Sequence, residues 1–154
     1  MQINHPARRE TVLNLYLDTE FDGHGGPLIS LAIVGDGCGW YGIFDAHCGT
    51  DWVAENVAPK LYAEPPTISG DQATLRLSLA EFLRSRSGCT LWADWPADFE
   101  HLTHLMCGNS YADSFMIQCT MRLIETPPGE PKPEHPHNAL SDALALMRWH
   151  QSVV

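Results

Sequence analysis

Three short apolar runs, Thr11–Leu17, Leu28–Val34 and Gly39–Phe44, follow one another with only turn signals between them. The first gap holds Asp22-Gly23-His24-Gly25-Gly26-Pro27. The second holds Asp36-Gly37, a dipeptide favoured in tight hairpins. Connections this short leave no room for a crossover helix, so neighbouring runs must pair antiparallel. This part of the chain is therefore expected to fold as a three-stranded meander.

Further along, the periodicity changes. Ser69-Gly70-Asp71-Gln72 has the Ser-x-x-Gln form of a capping box. Leu75, Leu79, Phe82 and Leu83 then recur at helical spacing, with Arg84 and Arg86 near the end and Gly88 as a stop. Cys89–Ala93 reads as a short strand. Pro96 suits the first turn of a second helix, with Phe99, Leu102 and Met106 inward and Gly108 ending it. Phe115–Cys119 reads as another strand, and Asn138 caps a last helix bearing Leu140, Leu144 and Met147. Thr126–Pro136 holds five of the eleven prolines and is expected to be irregular. Strands that alternate with helices return parallel. The expectation is one α/β domain over residues 1–154. Its mixed five-stranded sheet has three antiparallel strands, then parallel ones, with helices on its flanks.

Charge and cysteine usage narrow the function. The net charge is −10, with only nine Lys and Arg, which argues against a broad basic surface that coats nucleic acid. It leaves open an enzyme that grips a strand end, where a bound divalent cation supplies the positive charge that phosphate requires. Five cysteines with no CxxC pair argue against a disulfide framework or a Cys-rich zinc site, so buried reduced thiols are expected. No stretch approaches the ~18 apolar residues of a membrane span. Met1–Glu10 lacks the apolar core of a signal peptide, so a cytoplasmic location is expected.

Three acidic elements carry the chemistry. Asp18 and Glu20 lie two apart at the end of the first run, and on a strand they point to the same side. Carboxylates gathered in one place repel one another, and a cation relieves this. Asp94 and Asp98 follow the Cys89–Ala93 strand and compete for one role: Asp94 stands where a helix cap would, and Asp98 falls in the first helical turn. His137 and Asp142 differ by about 500° of helical rotation, so they share a site only if His137 precedes the helix that Asn138 caps.

In order, element type and spacing, these residues resemble the DEDDh branch of the DnaQ-like 3′→5′ exonucleases, and the likeness spans about 125 residues. It is nearest to short bacterial and phage exoribonuclease-like proteins that share the Asp-Thr-Glu-Phe start. Asp18 and Glu20 match the first motif, Asp98 the second, and His137 with Asp142 the His-x4-Asp third, inside Asn-Ala-Leu-Ser-Asp-Ala. Ala97 departs from the family, which usually has an aromatic residue directly before the second Asp. The resemblance implies an RNase H-like fold and two Mg²⁺ or Mn²⁺ ions held by Asp18, Glu20, Asp98 and Asp142, with His137 as general base. The implied substrate is the 3′ end of single-stranded nucleic acid, RNA ahead of DNA. Phe21, His24 and Trp95 are the candidates for substrate contact, with Trp92 more at home in the core. His47, His101 and His104 read as surface or packing residues. The family's members are often dimers, and an exposed third strand would support such pairing. The alternatives are an endonuclease on the same scaffold and a nucleic-acid-binding module without turnover.

Overall fold

The structure, a computed structural model, describes residues 11–46 and 48–154. The expectations for Met1–Glu10 and His47 lie outside the described residues. Strands β1 (Asn14–Phe21), β2 (Leu28–Gly35) and β3 (Cys38–Phe44) form the expected antiparallel meander. Helix α1 (Asp51–Asn56) and a 3₁₀ turn (Ala58–Lys60) follow, then β4 (Ile68–Gly70), α2 (Gln72–Arg84), β5 (Cys89–Ala93), α3 (Pro96–Cys107), β6 (Cys119–Leu123) and α4 (Ala139–Val153).

The sheet has six strands in the order β4-β3-β2-β1-β5-β6. The expected count of five missed β4, which has only three residues and pairs parallel to β3. Its residues carry too short an apolar signal to read. With β4 alongside, β3 is not an edge strand, which removes the argument for pairing two copies through it. Ser69 and Gly70 belong to β4, so the capping-box reading fails; Asp71 is the cap, accepting from the Thr74 N–H at 2.8 Å. The last strand was expected over Phe115–Cys119 and lies at Cys119–Leu123. Phe115 and Ile117 drew the reading upstream because they are buried, but their segment enters the core without joining the ladder.

Strand alternation divides the core into two layers. Leu15 and Leu17 face α2 and α3, packing with Leu75, Leu79, Leu83, Leu102 and Leu105. Tyr16 faces the opposite way, packing with Val34, Ala139, Ala143 and Leu146 under α4. The five cysteines are free thiols; Cys89 alone is buried and Cys107 is exposed, so the expectation of buried thiols holds only for Cys89. No helix among the described residues is long and apolar enough to cross a membrane.

One irregularity of the sheet positions the site. β1 pairs with β5 through three positions, ending at Tyr16↔Trp92. Past that point β1 continues to Phe21 along β2 alone, while β5 stays with β6 to Ala93 and Leu123. The sheet therefore splits beyond Tyr16 and Trp92. Splits at the carboxyl ends of parallel strands are where open α/β sheets place ligands.

Candidate functional site

Asp18 and Glu20 stand inside β1, which runs four residues past the expected end because β2 keeps supplying hydrogen-bond partners. Both lie on the face of Tyr16, toward α4, and there they meet Asp142 from its first turn. One carboxylate oxygen from each of Asp18, Glu20 and Asp142 falls within 4.8 Å of the others. A second group of the same compactness is Asp18, Asp94 and Asp98. Asp18 is common to both, so five acids from β1, the β5–α3 junction and α4 form two overlapping triads across the split.

The α3 side is tightly held. Asp98 is only 2% exposed, and the Thr19 hydroxyl donates to its Oδ1 at 2.6 Å. Asp94 was expected to compete as a helix cap. It does not cap α3: Trp95 occupies that position without a side-chain cap bond, and the Asp94 carboxylate is turned to Asp18 and Asp98. The two aspartates therefore stand together and are not alternatives in space.

The α4 side is built from a helix start. Asn138 is fully buried and accepts from the Ser141 N–H at 3.0 Å, as a cap should. Its amide donates to the Lys60 carbonyl at 2.9 Å, and the Tyr41 hydroxyl donates to the neighbouring Leu61 carbonyl at 2.8 Å. His137 precedes the helix, with φ +67°, and its backbone N–H donates to Asp142 Oδ2 at 3.1 Å. Its ring lies outside that bond, edge-on to Trp52 with centroids 5.0 Å apart. The proline-rich segment before it is irregular, as expected, and is tied to α4 where the His135 N–H donates to Ser141 Oγ at 2.8 Å.

Burial and mutual repulsion make these acids hard to ionise together. Burial first, then the charges of Asp98, Asp142, Glu20 and Asp94, push Asp18 well above the usual carboxylate range. Burial, then the Asp142 charge and a hydrogen bond shared with it, push Glu20 up to about 8. Burial raises Asp98 to about 7 against the opposing Thr19 hydrogen bond. Asp142 rises to about 6, again by burial, against its bonds from Glu20 and the His137 N–H. Asp18 Oδ2 and Asp98 Oδ2 are buried with no hydrogen-bond partner. Orphaned acceptors among five acids, with no Cys or His in either triad, are a donor set suited to hard, oxygen-seeking divalent cations. His137 moves the other way: burial, then the Lys60 charge, lower its pKa and favour the neutral ring.

A cavity of about 550 Å³ lies between the β1–β2 turn and α3, lined in part by Phe21, His24, Gly25, His101 and His104; none of the five acids lines it, and it reaches them only through Phe21 and Ala97, their chain neighbours. Phe21 and His101 stack there with ring centroids 4.6 Å apart. Gly26 lets the turn close beside the cavity, since a Cβ would sit 1.9 Å from the Asp22 carbonyl oxygen. Trp95 is 62% exposed at the start of α3. Trp92, expected in the core, is half-buried and packs against the α4-side core layer, with the His150 ring tilted against it at 4.5 Å and its Nε1 donating to Asn14 Oδ1 at 2.9 Å.

Of the residues expected at the site, Asp18, Glu20, Asp98 and Asp142 are brought together, with His137 at their edge through its bond to Asp142. Phe21 and His24 line the separate cavity between the β1–β2 turn and α3. Sequence reasoning missed four neighbours. His101 and His104 repeat at i, i+3 on the helix that carries Asp98, a spacing that signals one shared face. Trp52 and Lys60 lie on the short elements between β3 and β4, where no periodicity marks them. Comparisons with protein-family models and with curated proteins returned no match.

Proposed function

We propose that this chain is a metal-dependent 3′→5′ exonuclease of the DEDDh type on an RNase H-like fold, acting on single-stranded nucleic acid, RNA ahead of DNA. The observation that carries this reading is the pair of carboxylate triads sharing Asp18, with two buried oxygens unpartnered and the His137 backbone bonded to Asp142. The mixed sheet, three antiparallel strands followed by parallel ones, agrees with such a fold.

Two Mg²⁺ or Mn²⁺ ions, held by Asp18, Glu20 and Asp142 on one side and by Asp18 and Asp98, with Asp94 supporting them, on the other, would supply the Lewis acidity that phosphodiester hydrolysis needs. The protein's own groups do the rest. His137, kept neutral by burial and by Lys60, takes the proton of the attacking water on a ring nitrogen. The water oxygen bonds to phosphorus as the P–O3′ bond breaks, and the leaving strand keeps its 3′ hydroxyl. Asp142 holds the His137 peptide in place through the 3.1 Å bond while the ring stays available. The cavity lined by Phe21, His24 and His101 holds the terminal base, and the exposed Trp95 ring at the start of α3 offers a second stacking surface.

The test is digestion of matched single-stranded RNA and DNA, each labelled at the 5′ end, with and without Mn²⁺. A stepwise ladder that needs the metal is expected. Internal cuts would replace the reading with an endonuclease, and binding without cleavage would replace it with a non-catalytic module.

A further inference from the structure

Cations are scarce in this chain, and most of those described are engaged away from the acids. Arg76 is buried and donates to the Leu105 carbonyl, Arg84 and Arg86 lie over Phe115 and Phe82, Arg122 lies over Trp92, and Lys132 pairs with Glu130. Lys60 differs. Its backbone is bolted to the site: its carbonyl accepts from the buried Asn138 amide at 2.9 Å, next in sequence to His137, and its N–H donates to the Val57 carbonyl at 2.9 Å. The residue is half-exposed, and its ammonium makes no ion pair within 4.0 Å among the described residues. Its charge nevertheless bears on Glu20, Asp142 and His137, all on the α4 side. A fixed backbone, a side chain in no ion pair among the described residues, and a backbone bond to the residue next to the candidate base together describe a cation held ready for an anion.

We propose that Lys60 is a substrate-binding residue that pairs with a non-bridging oxygen of the scissile phosphodiester on the His137 side. This rests on the exonuclease reading and deepens it. A lysine serves here as a point charge for phosphate, and it offsets the repulsion that any polyanion meets on a chain of net charge −10. The 3₁₀ turn would then be part of the active centre, joined to α4 through Asn138, so that base and phosphate clamp share one support.

The experiment measures Mn²⁺-dependent cleavage of a 5′-labelled single-stranded RNA pentamer by wild type, Lys60→Met and Lys60→Arg over a range of salt. In Lys60→Met, KM is expected to rise about tenfold or more with kcat changed only a few-fold, since a charge-assisted contact is lost. The slope of log kcat/KM against log salt should become shallower by roughly 0.7, the share of one phosphate contact on a single strand. Lys60→Arg should recover most of the loss. The Mn²⁺-induced rise in melting temperature should persist in both variants, which shows that the fold and the acids are intact. Unchanged KM and salt slope in Lys60→Met would overturn the phosphate role while leaving the exonuclease reading in place. A fall in kcat alone, with a smaller Mn²⁺ response, would also overturn it, making Lys60 a support for the acids. A wild type that cleaves neither RNA nor DNA defeats the exonuclease reading, and this inference with it.

Discussion

The two sides of the acidic cage share Asp18 but are built by different means. On the α3 side, Asp98 is sealed in the core and fixed by a side-chain hydroxyl, with Asp94 beside it at a strand end. On the α4 side, Glu20 and Asp142 are half-buried and are positioned by a helix cap and one backbone N–H, with His137, Lys60 and Trp52 around them. Packing fixes the first side; hydrogen bonds at a chain junction fix the second. In the proposed reaction the first is the rigid platform, and the second carries the groups that move a proton and meet the phosphate.

Substitutions can break this contrast, and the largest effect is expected where the sides meet. Asp18→Asn removes the residue common to both triads and should lower Mn²⁺-dependent digestion by about 10⁴-fold or more. Retention of a tenth of wild-type activity would mean that the triads do not act together. Next comes His137→Asn, expected to lower kcat by about 10²- to 10³-fold while the Mn²⁺-induced rise in melting temperature survives. Loss of that rise would place His137 among the metal-holding groups and not the proton-transfer groups. Asp94→Asn should cost about tenfold, as expected of a residue that supports its neighbours, and Asp98→Asn clearly more. Equal losses for the two would show that the α3 side uses both aspartates directly.

The smallest effect concerns stability in the absence of metal. Glu20, Asp98 and Asp142 have folded-state pKa values of about 8, 7 and 6, above their ordinary values of 4.5, 3.8 and 3.8. The folded chain therefore keeps protons that the unfolded chain has released. This contribution is fully present below about pH 4 and is lost as the pH rises through about 8. With a chelator, the melting temperature should fall by a few degrees between about pH 5 and about pH 8, and saturating Mn²⁺ should shrink that fall. A melting temperature that rises over the same interval would contradict the raised values.

Much of this was legible beforehand. The meander, β5, and the limits of α3 follow from turn dipeptides, period and Pro96 and Gly108. The four acids and His137 were legible because they match, in order and spacing, the motifs of the family the sequence resembles; spacing alone left Asp94 and Asp98 as competitors. What escaped was set by tertiary partners. β1 extends because β2 does, β4 exists because β3 offers an edge, and Asp94 leaves the cap position because the α3 start orders without it. Lys60 sits on a 3₁₀ turn and Trp52 on a six-residue helix, both too short to show a period, so only three-dimensional proximity reveals them.

The early end of the β1–β5 ladder has one more consequence. With no backbone rungs beyond Tyr16 and Trp92, nothing in the sheet itself dictates how far Asp18 stands from Asp94 and Asp98. That spacing is left to the Thr19 hydroxyl on Asp98 and to the seating of α3, whose Leu102 and Leu105 bed into the hydrocarbon layer. The gauge of an ionic site is in this way handed in large part to oily side chains. A methylene added or removed at those two leucines retunes the distance between charges without touching any of them.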